Sequence, residues 1–207
     1  MVRQVIYMLV RAAALFAATA SLALAHHAMD YAMPASALEG LLSGLGHPVI
    51  GVDHLLFMLG AGVLAARWQR GWILPLLFVM TSLSAAGLRA AGASFELGEI
   101  WIAVTLIALG AILLAARNPR WVEAAALFIA SGALHGYALA EAIVGAETTP
   151  LSAYFAGLAM IQSAMALAAW WIASWFALRR PRVPLQRLAG AAIGIAGLAF
   201  AGIAALG

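Results

Sequence analysis

The 207-residue chain is 66% hydrophobic and only 9% charged, with a formal net charge of +3 and a mean hydropathy of +1.02. Soluble domains are about 25% charged, and no water-soluble fold of this length hides so much apolar surface, so the chain is read as an integral membrane protein. It holds no cysteine, which excludes disulfides and thiolate metal sites. All eleven basic residues are arginine, and no basic patch interleaved with aromatics is present, so a nucleic-acid partner is excluded too. The apolar runs are helix-length and rich in Ala, Leu and Gly rather than alternating strands of about 10 residues. The expected fold is therefore an all-α membrane bundle, not an outer-membrane barrel.

In chain order, residues 1–25 read as a signal peptide. Arg3 and Arg11 precede a short apolar run, and Ala23-Leu24-Ala25 supplies small residues for cleavage; an uncleaved first transmembrane helix is the other reading. The remaining residues, 26–207, are expected to form one domain of six transmembrane helices at about 38–66, 72–92, 98–116, 122–144, 151–177 and 186–206, each near the ~20 residues that cross a bilayer. Arg67, Arg70, Arg117, Arg120, Arg179, Arg180, Arg182 and Arg187 fall in alternate connections. The other connections hold Glu96, Glu99 and Glu147, with Arg89 nearby. That asymmetry predicts a bacterial inner-membrane protein whose mature N-terminus and C-terminus are periplasmic. Trp68, Trp72, Trp101, Trp121 and Trp175 fall near span ends as interfacial anchors, and the many glycines are read as close-packing positions. No inverted repeat is evident.

The histidines carry the functional signal. His26 and His27 open the expected mature chain, His47 and His54 lie in the first span within GHPVIGVDH, and His135 lies in the fourth within HGYALAE. Asp53 and Glu141 are the acidic residues of the same two spans. A charged group at the bilayer centre costs about 2.5–3.5 kcal/mol even on the lenient insertion scale, so such residues mark function by default. Antiparallel spans put Asp53, His54 and His135 at one depth. On straight helices His47 lies about 10 Å and Glu141 about 9 Å from that layer, forming a second layer; His26, His27 and Asp30 form a third at the mouth. Imidazole and carboxylate without sulfur suit Ni(II), Co(II) or Zn(II), and sites in series suit a permeation path. Pro48 disfavours helix at His47, so the span is expected to kink or unwind there, and whether His47 and His54 meet on one ion or mark successive stops is open. Gln162 is a further polar candidate, with Ser163, Thr81, Ser82 and Thr105 softer ones. Glu99 at the start of the third span suits either an outer vestibule or a solvated cap at a helix start, and is read as the cap.

These residues resemble the signature of the HupE/UreJ family of hydrogenase- and urease-accessory membrane proteins, regarded as nickel or cobalt permeases. The resemblance rests on His47-Pro48, Gly51-x-Asp53-His54 and Met58, on Pro75-Leu-Leu-Phe78, on Glu99 leading into Thr105 and Gly110, and on His135-Gly136-Tyr137-Ala138. It implies six spans and uptake of Ni2+ or Co2+ from periplasm to cytoplasm. Leu139 and Ala140 stand where the family commonly has a second His-Gly, Glu141 comes one residue early, and Gln162 lies near the place of a fifth-span histidine. The expected function is a facilitator, not an enzyme, without nucleotide-binding machinery, since no P-loop is present. His26 and His27 would capture the ion, His47 and Glu141 form an outer site, and Asp53, His54 and His135 a midplane site. The expected partners are the lipid bilayer and the transported metal ion, with no organic cofactor, and a homo-oligomer is compatible with the sequence. Two other classes stay open: a membrane cytochrome b with His54 and His135 as axial haem ligands, and a membrane-embedded metal hydrolase, which no His-Glu-x-x-His spacing supports.

Overall fold

The computed structural model describes residues 33–95, 99–115, 118–179 and 184–206. The expected signal peptide, His26, His27, Asp30, Glu96, Arg117, Arg180 and Arg182 lie outside the described residues. Those described form seven α-helices and one 3-10 turn, with no strand among them. The helices are α1 (Ala37–Ile50), α2 (Val52–Ala65), α3 (Ile73–Ala90), α4 (Ile100–Leu114), α5 (Trp121–Leu139), α6 (Thr148–Arg179) and α7 (Leu185–Leu206); the 3-10 turn, Glu141–Ile143, follows α5.

The stretch expected to be a single first span is two helices. Ser36 starts α1 by accepting the Glu39 N–H at 3.2 Å, and the helix passes through Pro48 to end at Ile50. Pro48 has no N–H to return to the preceding turn, so the last turn of α1 is weakened. Gly51 then leaves helical geometry at ψ 94°, although its N–H still reaches the His47 carbonyl. The new axis of α2 is bent 72° from α1. The break therefore falls three residues beyond the proline, at the glycine.

Four helices, α3, α5 with its 3-10 extension, α6 and α7, are long and apolar enough to cross a membrane, and the bent α1–α2 pair makes a fifth span if taken as one. At 15 residues, α4 is apolar but only about 22 Å long at 1.5 Å per residue, short of a full hydrocarbon core. Outward faces carry exposed Leu38, Met80, Leu88, Trp171 and Leu198, as suits lipid contact rather than water.

Between such helices lipid provides no hydrophobic drive, so association rests on close backbone approach. Glycines supply it at three antiparallel or parallel pairs. Gly40 and Gly44 of α1 press on the backbone of α6 at Pro150 and Tyr154, and Gly132 and Gly136 of α5 press on α3 at Phe78 and Ser82. Gly110 of α4 meets Gly190 and Gly194 of α7. These pairs surround α2, whose Phe57, Met58, Ala61, Leu64 and Ala65 form the middle of the main core with Phe78, Leu106, Leu109 and Phe128.

A Cβ on Gly190 would lie 2.8 Å from the Gly110 carbonyl oxygen, whereas one on Gly202 meets nothing within 4 Å. Gly190→Val is expected to cost about 1–3 kcal/mol through overpacking and to lower the melting temperature in detergent, while Gly202→Ala leaves it at or above wild type. Equal melting temperatures for the two variants would contradict this packing.

Candidate metal site

The helix break places the chemistry. On a continuous helix His47 and His54 would stand about 10 Å apart along the axis; with the bend at Gly51 their ring centroids are 6.3 Å apart. Both rings are buried. Gly51 is required because the approach is tight: a Cβ there would lie 2.7 Å from Cδ2 of His54 and 3.4 Å from Oδ1 of Asp53. Asp53 sits in the first turn of α2, where its Oδ1 accepts the His54 backbone N–H at 2.8 Å. The same oxygen lies 3.9 Å from His54 Nε2. That is too long for a hydrogen bond, yet within the ~4.3 Å that two donors on one first-row ion span.

His135, on α5, meets His54 through the two Nδ1 atoms at 2.7 Å. Its other nitrogen, Nε2, lies 2.9 Å from Thr105 Oγ1 of α4. Thr105 Oγ1 also lies 2.7 Å from the Ile102 carbonyl oxygen. A carbonyl has no proton to give, so the hydroxyl donates there and must accept from His135 Nε2–H. His135 then offers its Nδ1 lone pair, and His54 Nδ1–H donates to it. The ring lone pair of His54 is thereby assigned to Nε2.

His47 is set by a parallel chain. Tyr154 of α6 donates its hydroxyl proton to the Leu139 carbonyl at 2.5 Å, at the point where α5 ends and the 3-10 turn begins. Tyr154 OH also lies 3.1 Å from His47 Nδ1. With its proton committed, the phenol accepts from His47 Nδ1–H, which assigns that ring's lone pair to Nε2 as well.

A cavity of about 90 Å3 opens beside these groups, lined by His47, Asp53, His54, Glu99, Ile102, Ala138, Glu141 and Ala142. Among the described residues, three carboxylates, two imidazoles and no arginine line it. Glu99 was expected to cap α4, but its side chain makes no capping hydrogen bond; it lines the cavity instead. Glu141 was expected inside the fourth span, and it falls within the apolar stretch Trp121–Ile143 that is long enough to cross. The α-helix proper stops at Leu139, so Glu141 opens the 3-10 turn and is exposed at the cavity mouth. Beyond His54 the way is filled: Phe57 and Phe78 stack at 5.2 Å between centroids, and both lie against the fully buried His135.

Not every expected residue joins this cavity. His135 is not among its lining residues and acts on it through His54. Gln162 is fully buried, and its Nε2 donates to Ser82 Oγ at 3.0 Å, away from the lining residues. Among the described residues no three His, Asp or Glu side chains already converge as ligands of one point. Two imidazoles bonded directly to each other, with centroids 4.9 Å apart, leave no room for a haem iron between them, so these residues do not fit the cytochrome alternative. Nothing in the sequence around Tyr154 signals its partners on two other helices, His47 and Leu139.

Gly51→Ala is expected to push the His54 ring off His135 and so shift the Nδ1 resonances of both in 15N-histidine NMR spectra. Spectra identical to wild type would contradict the tight contact at the break.

The comparisons with known proteins agree with the sequence signature. The family model described as HupE / UreJ protein matches residues 13–200. The chain is 34% identical over 77 residues to "Protein HupE" of Rhizobium leguminosarum bv. viciae, a match that covers 36% of this chain and 40% of that relative's length. No solved structure matches. With a family match running over nearly the whole chain and its helices apolar, this protein belongs to the HupE/UreJ family.

Proposed function

We propose that the chain is a bacterial inner-membrane permease that admits Ni(II) or Co(II) from the periplasm to the cytoplasm, with His47, Asp53 and His54 as its principal ligands. The observation that carries this reading is the cavity at the helix break, where two imidazoles and Asp53 face one small space. Nitrogen and oxygen donors without sulfur suit Ni(II) and Co(II), and the Asp53 charge offsets part of the ion's dehydration cost. Small rotations of His47 and His54 would complete a three-donor site. The C-terminal end of α1, negative by its backbone dipole, lies at the same break, as at the broken helices of ion transporters.

In this reading Glu99 and Glu141 form the mouth, raising the local cation concentration. His26 and His27 would capture the ion before it. His135 holds His54, and Gln162 offers a polar group deeper in the bundle. The bent α1–α2 pair and the short α4 each count as one crossing, giving six spans, with the start of α1 and the end of α7 on the periplasmic side as the arginine distribution requires. The signal peptide would be removed. The stacked Phe57 and Phe78 close the route toward the cytoplasm, an apolar constriction of the kind that gates by excluding water.

Vesicles containing the protein, offered Ni2+, Co2+, Zn2+ and Fe2+ in competition, test the reading. His54→Ala and Asp53→Asn should reduce Ni2+ or Co2+ uptake by at least about tenfold at unchanged protein level; uptake equal to wild type in both sinks the proposal. Glu99→Gln combined with Glu141→Gln should instead raise the half-saturating metal concentration with little change in maximal rate, and the effect should shrink at high ionic strength. A lower maximal rate with unchanged half-saturation would remove these residues from the mouth.

A further inference from the structure

Two hydroxyl groups outside the ligand set hydrogen-bond to the histidine cluster, Tyr154 to His47 and Thr105 to His135. Tyr154 and Thr105 sit on different helices, α6 and α4, and each commits its single proton to a backbone carbonyl, Leu139 and Ile102 respectively. Each is then only an acceptor toward the histidine beside it, His47 for Tyr154 and His135 for Thr105. The second chain has one more link, since His135 passes the constraint to His54. Tyr154 is fully buried, as is His135, and Thr105 is buried, so water does not offer a competing donor at either anchor.

We propose that Tyr154 and Thr105 are positioning residues of the cation site, each anchoring a hydrogen-bond chain on a main-chain carbonyl and thereby holding His47 and His54 as the Nδ1–H tautomers that present Nε2 to a divalent cation. This rests on the permease reading of the cavity. The chemistry is general: a ligating histidine donates its other ring N–H to a fixed acceptor, which sets tautomer and ring angle and raises the basicity of the ligating nitrogen. Here the fixed acceptors are a phenol oxygen and a second imidazole, and both chains end on carbonyls that cannot reverse direction. A neutral imidazole with two tautomers open to it would present a donor N–H to the ion part of the time. Closing that alternative costs nothing at the moment of binding, because the carbonyls hold the chain beforehand. His135 is assigned the role of relay: its Nδ1 accepts, its Nε2 donates, and it has no nitrogen left to ligate.

The chains also tie the site to three neighbouring elements. His47 is held through α6 to the end of α5, and His54 through α5 to α4. Leu139 O is one of the terminal carbonyls that α5 cannot satisfy internally, so the Tyr154 phenol caps α5 with its proton and orients His47 with its oxygen.

The test uses 15N-histidine-labelled full-length protein in micelles. Two-bond proton–nitrogen correlation spectra of the metal-free protein should show His47 and His54 as Nδ1–H tautomers and His135 as Nε2–H, each assigned from its single-residue variant. Tyr154→Phe should return His47 to a tautomer mixture and weaken Ni2+ binding about 10–100-fold by calorimetry, leaving the His54 signals unchanged. Thr105→Val should do the same to the His135–His54 pair, and Thr105→Ser, which keeps the hydroxyl, should restore tautomer and affinity together; this pair decides the matter if Tyr154→Phe does not fold. An Nε2–H tautomer for His47 or His54 in the wild type overturns the proposal. So does wild-type Ni2+ affinity in both Tyr154→Phe and Thr105→Val. Wild-type protein that shows the expected tautomers but binds neither Ni2+ nor Co2+ overturns the permease reading, and the positioning role falls with it.

Discussion

A helix in a membrane interior satisfies every backbone group by itself, so breaking one there is costly, and among the described residues the first apolar stretch breaks at Gly51. Pro48 has already removed one donor from the ladder, and the glycine admits both the turn in the backbone and the His54 ring beside it. The 72° bend brings together two histidines that a straight helix would hold two turns apart. The location of Asp53 in the first turn of α2, the meeting of His54 with His135, and the cavity itself follow from that bend. Without it the bundle would contain isolated polar residues on the face of a helix, each needing its own partner.

The bend in turn depends on the surrounding glycine contacts. Gly40 and Gly44 fix α1 against α6, which sets Tyr154 beside His47, while Gly132 and Gly136 fix α5 against α3, which sets the height of His135. Close packing therefore does the work that ion pairs or disulfides do elsewhere. It also makes the site sensitive to distant changes: a displaced helix moves a hydrogen-bond anchor, and the anchor moves a ring. The same arrangement seals the far side of the cavity, since Phe57, Phe78 and His135 are buried against one another by the helices that hold the site open at the Glu99 and Glu141 end.

Much of this was legible in the sequence for definite reasons. Helix-length apolar runs cannot be strands in lipid, and the positions of His54 and His135 on antiparallel spans predicted that they would share a level. The rest depended on information that no local pattern carries. The end of α5 at Leu139 is marked by no glycine at that position; the glycine with positive φ comes later, at Gly145. The carbonyl at the helix end is instead met by Tyr154 from another helix, so the change from α-helix to 3-10 turn just before Glu141 has no local signal. Glu99 has the place of a helix cap and faces the cavity because α4 starts beside α5. Thr105 was noticed as polar, but its role as an acceptor follows only from its contact with Ile102 O. The brevity of α4 was likewise hidden, because Ala115 and Ala116 continue the apolar run past Leu114.

The most direct test of the central claim, that one helix break assembles the cation site from His47 and His54, is X-ray absorption spectroscopy of the Ni(II)-loaded protein. A shell of nitrogen and oxygen atoms with an imidazole contribution is expected, and it should lose imidazole scattering in His47→Ala and again in His54→Ala. An imidazole contribution unchanged in both variants would place the ion elsewhere and contradict the account.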